Sequence, residues 1–481
     1  MVWKETCSQQ EICISGKKII ALEMSIALSS ELDGRAIFYC LGNFVPYAIK
    51  SPPGRMHTPQ CGISPRGGVA AARKVGRAPQ RLRKELKWAC PLSSVIRKEF
   101  EKNLQKILKT IENKLQKWYK RSVNNFYLNL CKGVVKMKAV ILSGPNDFAP
   151  GEIEKPLIGD HDILLEMKRA AICGTDIRIL EGTKTKGVRY PSVIGHEICG
   201  VISEIGKEVT GYEVGEKVAI ANVIPCGSCP SCLSGRENAC MRRKAIGYEF
   251  NGGFEEYIRI PEIAIKSGNV IKLPEQVSFT AGALIEPLAC CIRGLKNAGT
   301  GFNDVVLIVG AGPIGLMHMQ LAKIAGAKQV IVSEPNPMRR QIALELGADK
   351  AVDPVTEDLA GIISDVTGGL GADVIVMAIG VPALVNSTLK LCRRGGTVNL
   401  FAGFAGTGEC TIEVNTIHYN EINVNGSTAY KREDYLQAAD MVISGKINLD
   451  RIATHTYKIE DFQTAYEMCK SGKGLKIIIE P

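Results

Sequence analysis

Cys173-Gly174-Thr175-Asp176 and Gly195-His196-Glu197 stand about two dozen positions apart in this chain. A thiolate, an imidazole and a carboxylate are three ligand types that zinc accepts, and a site with about three protein ligands keeps a position open for water or substrate. Thr175 follows the thiol by two residues, so its hydroxyl is placed to carry a proton from an alcohol held there. Taken singly, Cys173 reads as a buried structural thiol and His196 as a core imidazole. Taken together, and followed by the two motifs below, they read as a catalytic metal centre.

Cys226, Cys229 and Cys232 come next, spaced by Gly, Ser and Pro, with Cys240 eight positions further on. Four thiols at such spacings surround one ion tetrahedrally and leave no room for substrate, so this zinc would be structural. A redox disulfide pair is the alternative, but nothing around the cluster resembles a thioredoxin-like site.

The third motif is Gly310-Ala311-Gly312-Pro313-Ile314-Gly315. It follows the apolar run Val305–Val309 and precedes a helical pattern over 316–325, which is the context that gives a G-x-G-x-x-G meaning. Glycines there permit the tight turn and let a pyrophosphate approach the helix N-terminus. A second strand over 330–333 ends at Glu334, placed to accept from ribose hydroxyls and to repel a 2′-phosphate. NAD is therefore expected over NADP. Arg339 and Arg340 follow, so the exclusion need not be absolute. Ile379-Gly380 and Ala402-Gly403 end two further strands, where a nicotinamide would lie.

These motifs need two scaffolds. Short apolar runs at 139–142, 163–167 and 201–205, broken by Gly and Pro, predict the strands of a small barrel-like domain around the metal residues. From 305 onward β and α patterns alternate, as a doubly wound parallel sheet requires. A helix over 434–444 and a strand over 476–479 close the chain and fit either domain.

The first 136 residues differ. They hold 25 Lys and Arg against 9 Asp and Glu, whereas the remaining 345 hold 35 against 40. The net charge of +11 thus belongs to the leader, and the body offers no electrostatic case for nucleic acid. Residues 1–92 show no sustained period and are expected to be largely disordered. Over 93–121, Ile96, Phe100, Leu104, Leu108, Ile111, Leu115 and Trp118 recur at helical spacing among lysines, predicting a basic amphipathic helix. Such a helix suits a membrane surface, an acidic partner, RNA or plain solvent. Met137 would also make a normal start, which leaves open whether the leader belongs to the native protein. No apolar run is long enough to span a membrane, and seventeen cysteines, an odd number with one tight cluster, fit metal ligands and reduced thiols in a cytoplasmic protein.

With Glu286-Pro287-Leu288-Ala289 added to the three motifs, residues 137–481 resemble the zinc-containing medium-chain alcohol dehydrogenases, in the branch of sorbitol (L-iditol), galactitol-phosphate and threonine dehydrogenases. The resemblance implies an α/β fold: a GroES-like catalytic domain over 137–287, a Rossmann domain over 288–424, and a segment over 425–481 that returns to the catalytic part. It implies one catalytic and one structural zinc, NAD, and a homo-oligomer, dimer or tetramer. By position, Cys173, His196 and Glu197 would hold the catalytic zinc, Glu286 would contact it directly or through water, and Thr175 would begin a proton relay. Arg178 stands where many relatives have a relay histidine, and a guanidinium cannot pass a proton on. Hydride transfer from a secondary alcohol of a polyol to NAD is the expected activity, ahead of a polyol phosphate and of L-threonine. A nucleic-acid-binding zinc protein on a dehydrogenase scaffold is the rival reading; it needs only the four-Cys site.

Overall fold

The chain divides into two units, Met1–Glu112 and Asn113–Pro481. The structure, a computed structural model, describes residues 135–404 and 406–481, three strands within 4–40, and Lys102, Lys109, Thr110 and Lys114. In the first unit Lys4–Ile14, Lys17–Leu32 and Arg35–Cys40 pair as an antiparallel meander. Its registers pair Ile14 with Lys17 and Leu32 with Arg35. In the sequence Ser15-Gly16 and Asp33-Gly34 stand between these partners. Such dipeptides are hairpin signals that a search for hydrophobic period passes over. Of the helix expected over 93–121, the four described residues are helical and the rest lies outside the described residues.

In the second unit, the metal motifs sit on a largely antiparallel seven-stranded sheet. Its order runs Val270–Lys272, Lys217–Ile220, Glu197–Ile205, Ile163–Ile172, Lys476–Glu480 and Ala453–Lys458, with Tyr257–Ile260 also paired to Ile163–Ile172. The C-terminal strand thus pairs antiparallel with Ile163–Ile172, Ile477 opposite Ile172, and brings Lys476 beside the metal motif. Strand Ile163–Ile172 is apolar over most of its length because sheet neighbours and the Ile459–Ala465 region cover it.

The nucleotide motif sits on a six-stranded, wholly parallel sheet. Its order is Lys350–Val352, Gln329–Ser333, Val305–Val309, Ala372–Met377, Cys392–Leu400 and Asn423–Gly426. Numbered by chain position the strands run 3-2-1-4-5-6, and the direction of winding reverses between Val305–Val309 and Ala372–Met377. All five residues of Val305–Val309 are buried, as expected for a central strand with helices on both faces. The helix after it begins at Pro313, inside the glycine motif and three residues before the sequence pattern places it. Proline at the first helical position loses no hydrogen bond there.

Helix Ile285–Ala298 joins the two parts. Its residues Ile285, Leu288, Ala289 and Ile292 belong to one apolar cluster with Cys199 and Ala219 of the first sheet, Val306 and Val376 of the second, and Leu316 of helix Pro313–Ile324. Shared burial of that kind fixes the two parts together, and Glu286 is buried in the helix's first turn.

Candidate active site

Cys173 ends the strand Ile163–Ile172 and caps helix Gly174–Leu180. The cap is reciprocal: the Thr175 amide donates to Cys173 Sγ at 3.4 Å, and the Cys173 amide donates to Asp176 Oδ2 at 2.9 Å. Asp176 is fully buried and places its other oxygen, Oδ1, 3.0 Å from His196 Nδ1. With Nδ1 occupied, the imidazole has Nε2 left for a metal, the usual carboxylate–histidine arrangement behind a ligand. Glu197 opens the next strand with Oε1 2.5 Å from Lys476 Nζ. Its second oxygen, Oε2, is buried and has no hydrogen-bond partner.

One ligand atom from each of Cys173, His196 and Glu197 falls within 4.8 Å of the others. A buried carboxylate oxygen without a partner is costly unless something charged meets it. The donor set of sulfur, imidazole nitrogen and carboxylate oxygen is one that zinc accepts, so the residues fit the metal. Burial opposes charge on His196, yet Asp176, Tyr248 and Cys173 hold its pKa well above the ordinary value. Burial pushes the Glu197 carboxyl up, against the pull of Lys476 and His196. Burial also works against the Lys476 charge, but Glu197 holds that ammonium above the usual lysine value. Glu286, buried in the crevice, is pushed up to about 7 by its surroundings and feels both His196 and Glu197.

Thr175 Oγ1 accepts from the Arg178 guanidinium at 3.0 Å. The other terminal nitrogen of Arg178 lies against Gly403, 3.0 Å from where a Cβ would stand. Arg178 therefore bridges the Thr175 hydroxyl and Gly403, which follows the strand Cys392–Leu400.

Cys226, Cys229, Cys232 and Cys240 gather on a lobe built from a single turn of helix, Pro230–Leu233, and its flanking turns. Their sulfurs lie 3.5 Å (Cys229 to Cys232), 3.8 Å (Cys229 to Cys240) and 4.0 Å (Cys226 to Cys232) apart. Ligands about 2.3 Å from a central ion at tetrahedral angles are about 3.8 Å from each other, so the cage has the dimensions of a zinc site. Amides directed at Cys226 pull that thiol down to about 5, towards the thiolate that metal needs.

In the nucleotide motif Gly310 has φ +97° and Gly315 packs directly on it, 1.9 Å from the Gly310 carbonyl oxygen to an ideal Cβ. Gly312 caps the helix, Pro313 and Ile314 form its first turn, and Gly312 has open space where a Cβ would stand. Glu334 ends its strand with Oε2 accepting from the Ala311 amide at 2.8 Å and Oε1 from Asn336 at 3.0 Å. The carboxylate is thereby locked at the loop. Arg339 points elsewhere: its guanidinium donates to the carbonyls of Gly472, at 2.6 Å, and Gly474. Ile379 packs over Gly310, and Gly380 backs onto the Gly403 carbonyl with Ala402 alongside. Both strand ends therefore converge beside the glycine loop at the switch point.

Three further residues belong to this site. Asp176 lay inside a quoted motif, and its spacing of three from Cys173 is a capping signal that was readable. Tyr248 packs 5.7 Å from the His196 ring, and burial pushes its hydroxyl up to about 12. Lys476 is 279 positions from Glu197 and carries no local signal at all.

Comparison with known proteins agrees with this fold. The family model for the alcohol dehydrogenase GroES-like domain matches 159–275, and that for zinc-binding dehydrogenase matches 313–444. L-threonine 3-dehydrogenase of Pyrococcus horikoshii is 34% identical over 349 residues, 71% of this chain and 98% of that protein. The enzyme of the same name from Aliivibrio fischeri is 33% identical over 334 residues, 68% of this chain and 94% of its own length. Among solved structures, a Sinorhizobium meliloti protein described as a zinc-binding dehydrogenase and bound to NADP aligns with TM-score 0.68 at 32% identity, covering 72% of this chain and all of its own. Galactitol-1-phosphate dehydrogenase of Escherichia coli aligns with TM-score 0.65 at 25% identity, over 72% and 100%.

Proposed function

Since the chain belongs to the zinc-containing medium-chain alcohol dehydrogenase family, we propose that it oxidises a secondary alcohol flanked by polar groups, with NAD as preferred acceptor. The observation that carries this is Glu197, whose carboxylate is half satisfied by Lys476 and half unpartnered beside Cys173 and His196. Cys173, His196 and Glu197 would hold the catalytic zinc, with Glu286 contacting it directly or through water, and the four cysteines would hold the structural ion. Zinc supplies Lewis acidity at the substrate oxygen, and NAD supplies the hydride acceptor.

The chain's own residues orient and move the rest. Asp176 and Lys476 aim the imidazole and the carboxylate. Thr175 Oγ1 takes the carbinol proton. Arg178 donates to that oxygen and offers no acceptor, so the proton continues to a cofactor ribose hydroxyl or to water. The relay accordingly lacks the titrating histidine of many relatives.

A polyol, a polyol phosphate and L-threonine all present such a carbinol, and the relatives named L-threonine 3-dehydrogenase favour the last more than sequence reading alone did. NAD preference is supported by Glu334 facing the loop and by Arg339 being engaged with Gly472. A homo-oligomer is supported by the exposed edge strand Asn423–Gly426 with Tyr419 beside it. Eleven free cysteines among the described residues support a reducing, cytoplasmic setting. No described helix is long and apolar enough to cross a membrane.

The test is metal content together with NADH formation. Two zincs per chain are expected, falling to one in Cys173→Ala with nearly all turnover lost and the fold retained. Full turnover in that variant would sink the assignment. Glu334→Ser should raise the NADP-to-NAD activity ratio about tenfold or more, by removing a buried repulsion. An unchanged ratio would count against that strand end as the ribose site.

A further inference from the structure

Beside the metal residues stands a cation that the reaction, as derived so far, does not use. Lys184 lies in the loop after helix Gly174–Leu180, and that loop is pinned to the helix. The Lys184 amide donates to the Arg178 carbonyl at 3.0 Å, and the Thr183 hydroxyl donates to the same oxygen at 3.1 Å. The ammonium sits 5.0 Å from the centre of the Tyr248 ring, which in turn packs on His196. It is half-buried and forms no ion pair or hydrogen bond among the described residues. Burial lowers its pKa, and the guanidiniums of Arg243 and Arg178 lower it further.

Two other sheltered lysines of this chain meet counter-charges. Lys476 meets Glu197, and Lys296 meets Asp434 and Glu433. The carboxylate that acts on Lys184, Asp176, is already bonded to His196 and to the Cys173 amide. Arg178 is bonded to Thr175, and Arg243 to the Asn238 carbonyl, neither to an acid. Lys184, Arg178 and Arg243 are therefore close enough to repel one another; Asp176 and Cys173 attract Lys184 only at a distance, and no carboxylate among the described residues pairs with it. Withdrawing a charge from water is compensated only when an opposite charge meets it. A neutral polyol cannot provide that compensation; a bound carboxylate or phosphate can.

We propose that the substrate's secondary alcohol is joined to an anionic group, a carboxylate or a phosphate, and that Lys184 Nζ is its anchor, with Arg178 and Arg243 adding to the attractive field. This rests on the reading of the site as a zinc-dependent alcohol dehydrogenase. Lys184 is a specificity-determining residue in that scheme. The carbinol C–H hydrogen still passes to NAD as a hydride carrying its bonding pair, and the hydroxyl proton leaves through Thr175. Arg178, lying against Gly403, faces the cofactor side of the crevice as well, so the two cations are separable.

The experiment uses the two-zinc enzyme with NAD and matched pairs of alcohols: sorbitol 6-phosphate against sorbitol, and 3-hydroxybutyrate or L-threonine against 2,3-butanediol. The anionic member of at least one pair should be preferred about tenfold or more in kcat/KM, and which pair shows it distinguishes phosphate from carboxylate. Lys184→Gln should reduce that preference about 10- to 100-fold, mainly through KM for the alcohol, as expected for one charge-assisted hydrogen bond. Lys184→Arg should restore most of it. Independently of turnover, inorganic phosphate or oxalate should raise the Tm of the NAD complex in the wild type and not in Lys184→Gln. Equal or better use of the neutral alcohols, or equal losses on both members of a pair, would overturn the proposal. So would anion protection that Lys184→Gln leaves intact. Absence of any alcohol oxidation would instead fault the dehydrogenase reading, and the Tm measurement would still decide the anchor.

Discussion

At the scale of single residues, this protein treats buried charge in two ways. Among the metal-site residues Asp176 pairs with His196 and Lys476 with Glu197, and the unpartnered oxygen Glu197 Oε2 belongs to the ligand cluster. Away from the site Glu255 shows the opposite. It is 1% exposed, one of its oxygens accepts only from Asn251 at 3.2 Å, and the other has no partner. Burial pushes its carboxyl well above the ordinary range. A carboxyl whose pKa is raised by folding favours the folded state fully below its unfolded value, about 4.3, and that contribution is lost as pH rises towards the folded value. Glu255→Gln removes the ionisation while keeping the shape. The variant should therefore match the wild type near pH 3.5 and exceed it at pH 8, by an amount on the order of 1–3 kcal/mol. Thermal unfolding at both pH values checks it, and a variant less stable at pH 8 would contradict it.

At the scale of elements, the glycine loop shows a residue choice dictated by backbone contact. A Cβ on Gly315 would stand 1.9 Å from the Gly310 carbonyl oxygen and 2.9 Å from its carbon, both backbone atoms that cannot swing aside. Helix Pro313–Ile324 would have to retreat from strand Val305–Val309, and the loop amides would lose their aim at a pyrophosphate. Gly315→Ala should weaken NADH binding about tenfold or more and lower Tm, while zinc content stays at two per chain. Fluorescence titration with metal analysis separates these. Undiminished NADH affinity would mean that the loop is not the nucleotide cradle. Cys226, Cys229, Cys232 and Cys240, in contrast, depend on spacing rather than contact, because Gly and Pro let a short segment fold around an ion by itself.

At the scale of the whole molecule, every residue of both metal sites and of the nucleotide site lies in the second unit. The strand that begins that unit's described part, Lys136–Gly144, pairs with Asp147–Glu154 of the same unit. Its Lys136–Glu152 ion pair is exposed on both sides and contributes little. A chain that begins at Met137 should therefore fold, bind two zincs and keep the kcat/KM of the 481-residue protein. Side-by-side turnover and metal analysis would show it. An insoluble or inactive product would make the first unit part of the catalytic machinery.

What was legible in the sequence by itself was whatever is encoded at short range. The four-Cys cage, the capped Cys173, the His196-Glu197 pair and the strand–glycine loop–helix unit each occupy a few consecutive turns, so spacing and residue type specify them. The parallel sheet was legible for a related reason: alternating β and α patterns admit few windings. The helix start was missed by three residues because Pro313 looks like a breaker until it is seen at the first helical position. Tertiary structure alone decided which distant groups complete these pieces. Lys476 reaches Glu197 only because the last strand pairs with Ile163–Ile172. Arg339 turns to Gly472 rather than outward, and Lys184 comes to lie over Tyr248 without a counter-charge. Charge pairing acts through space, and its range in sequence is set by sheet order, which no local pattern records.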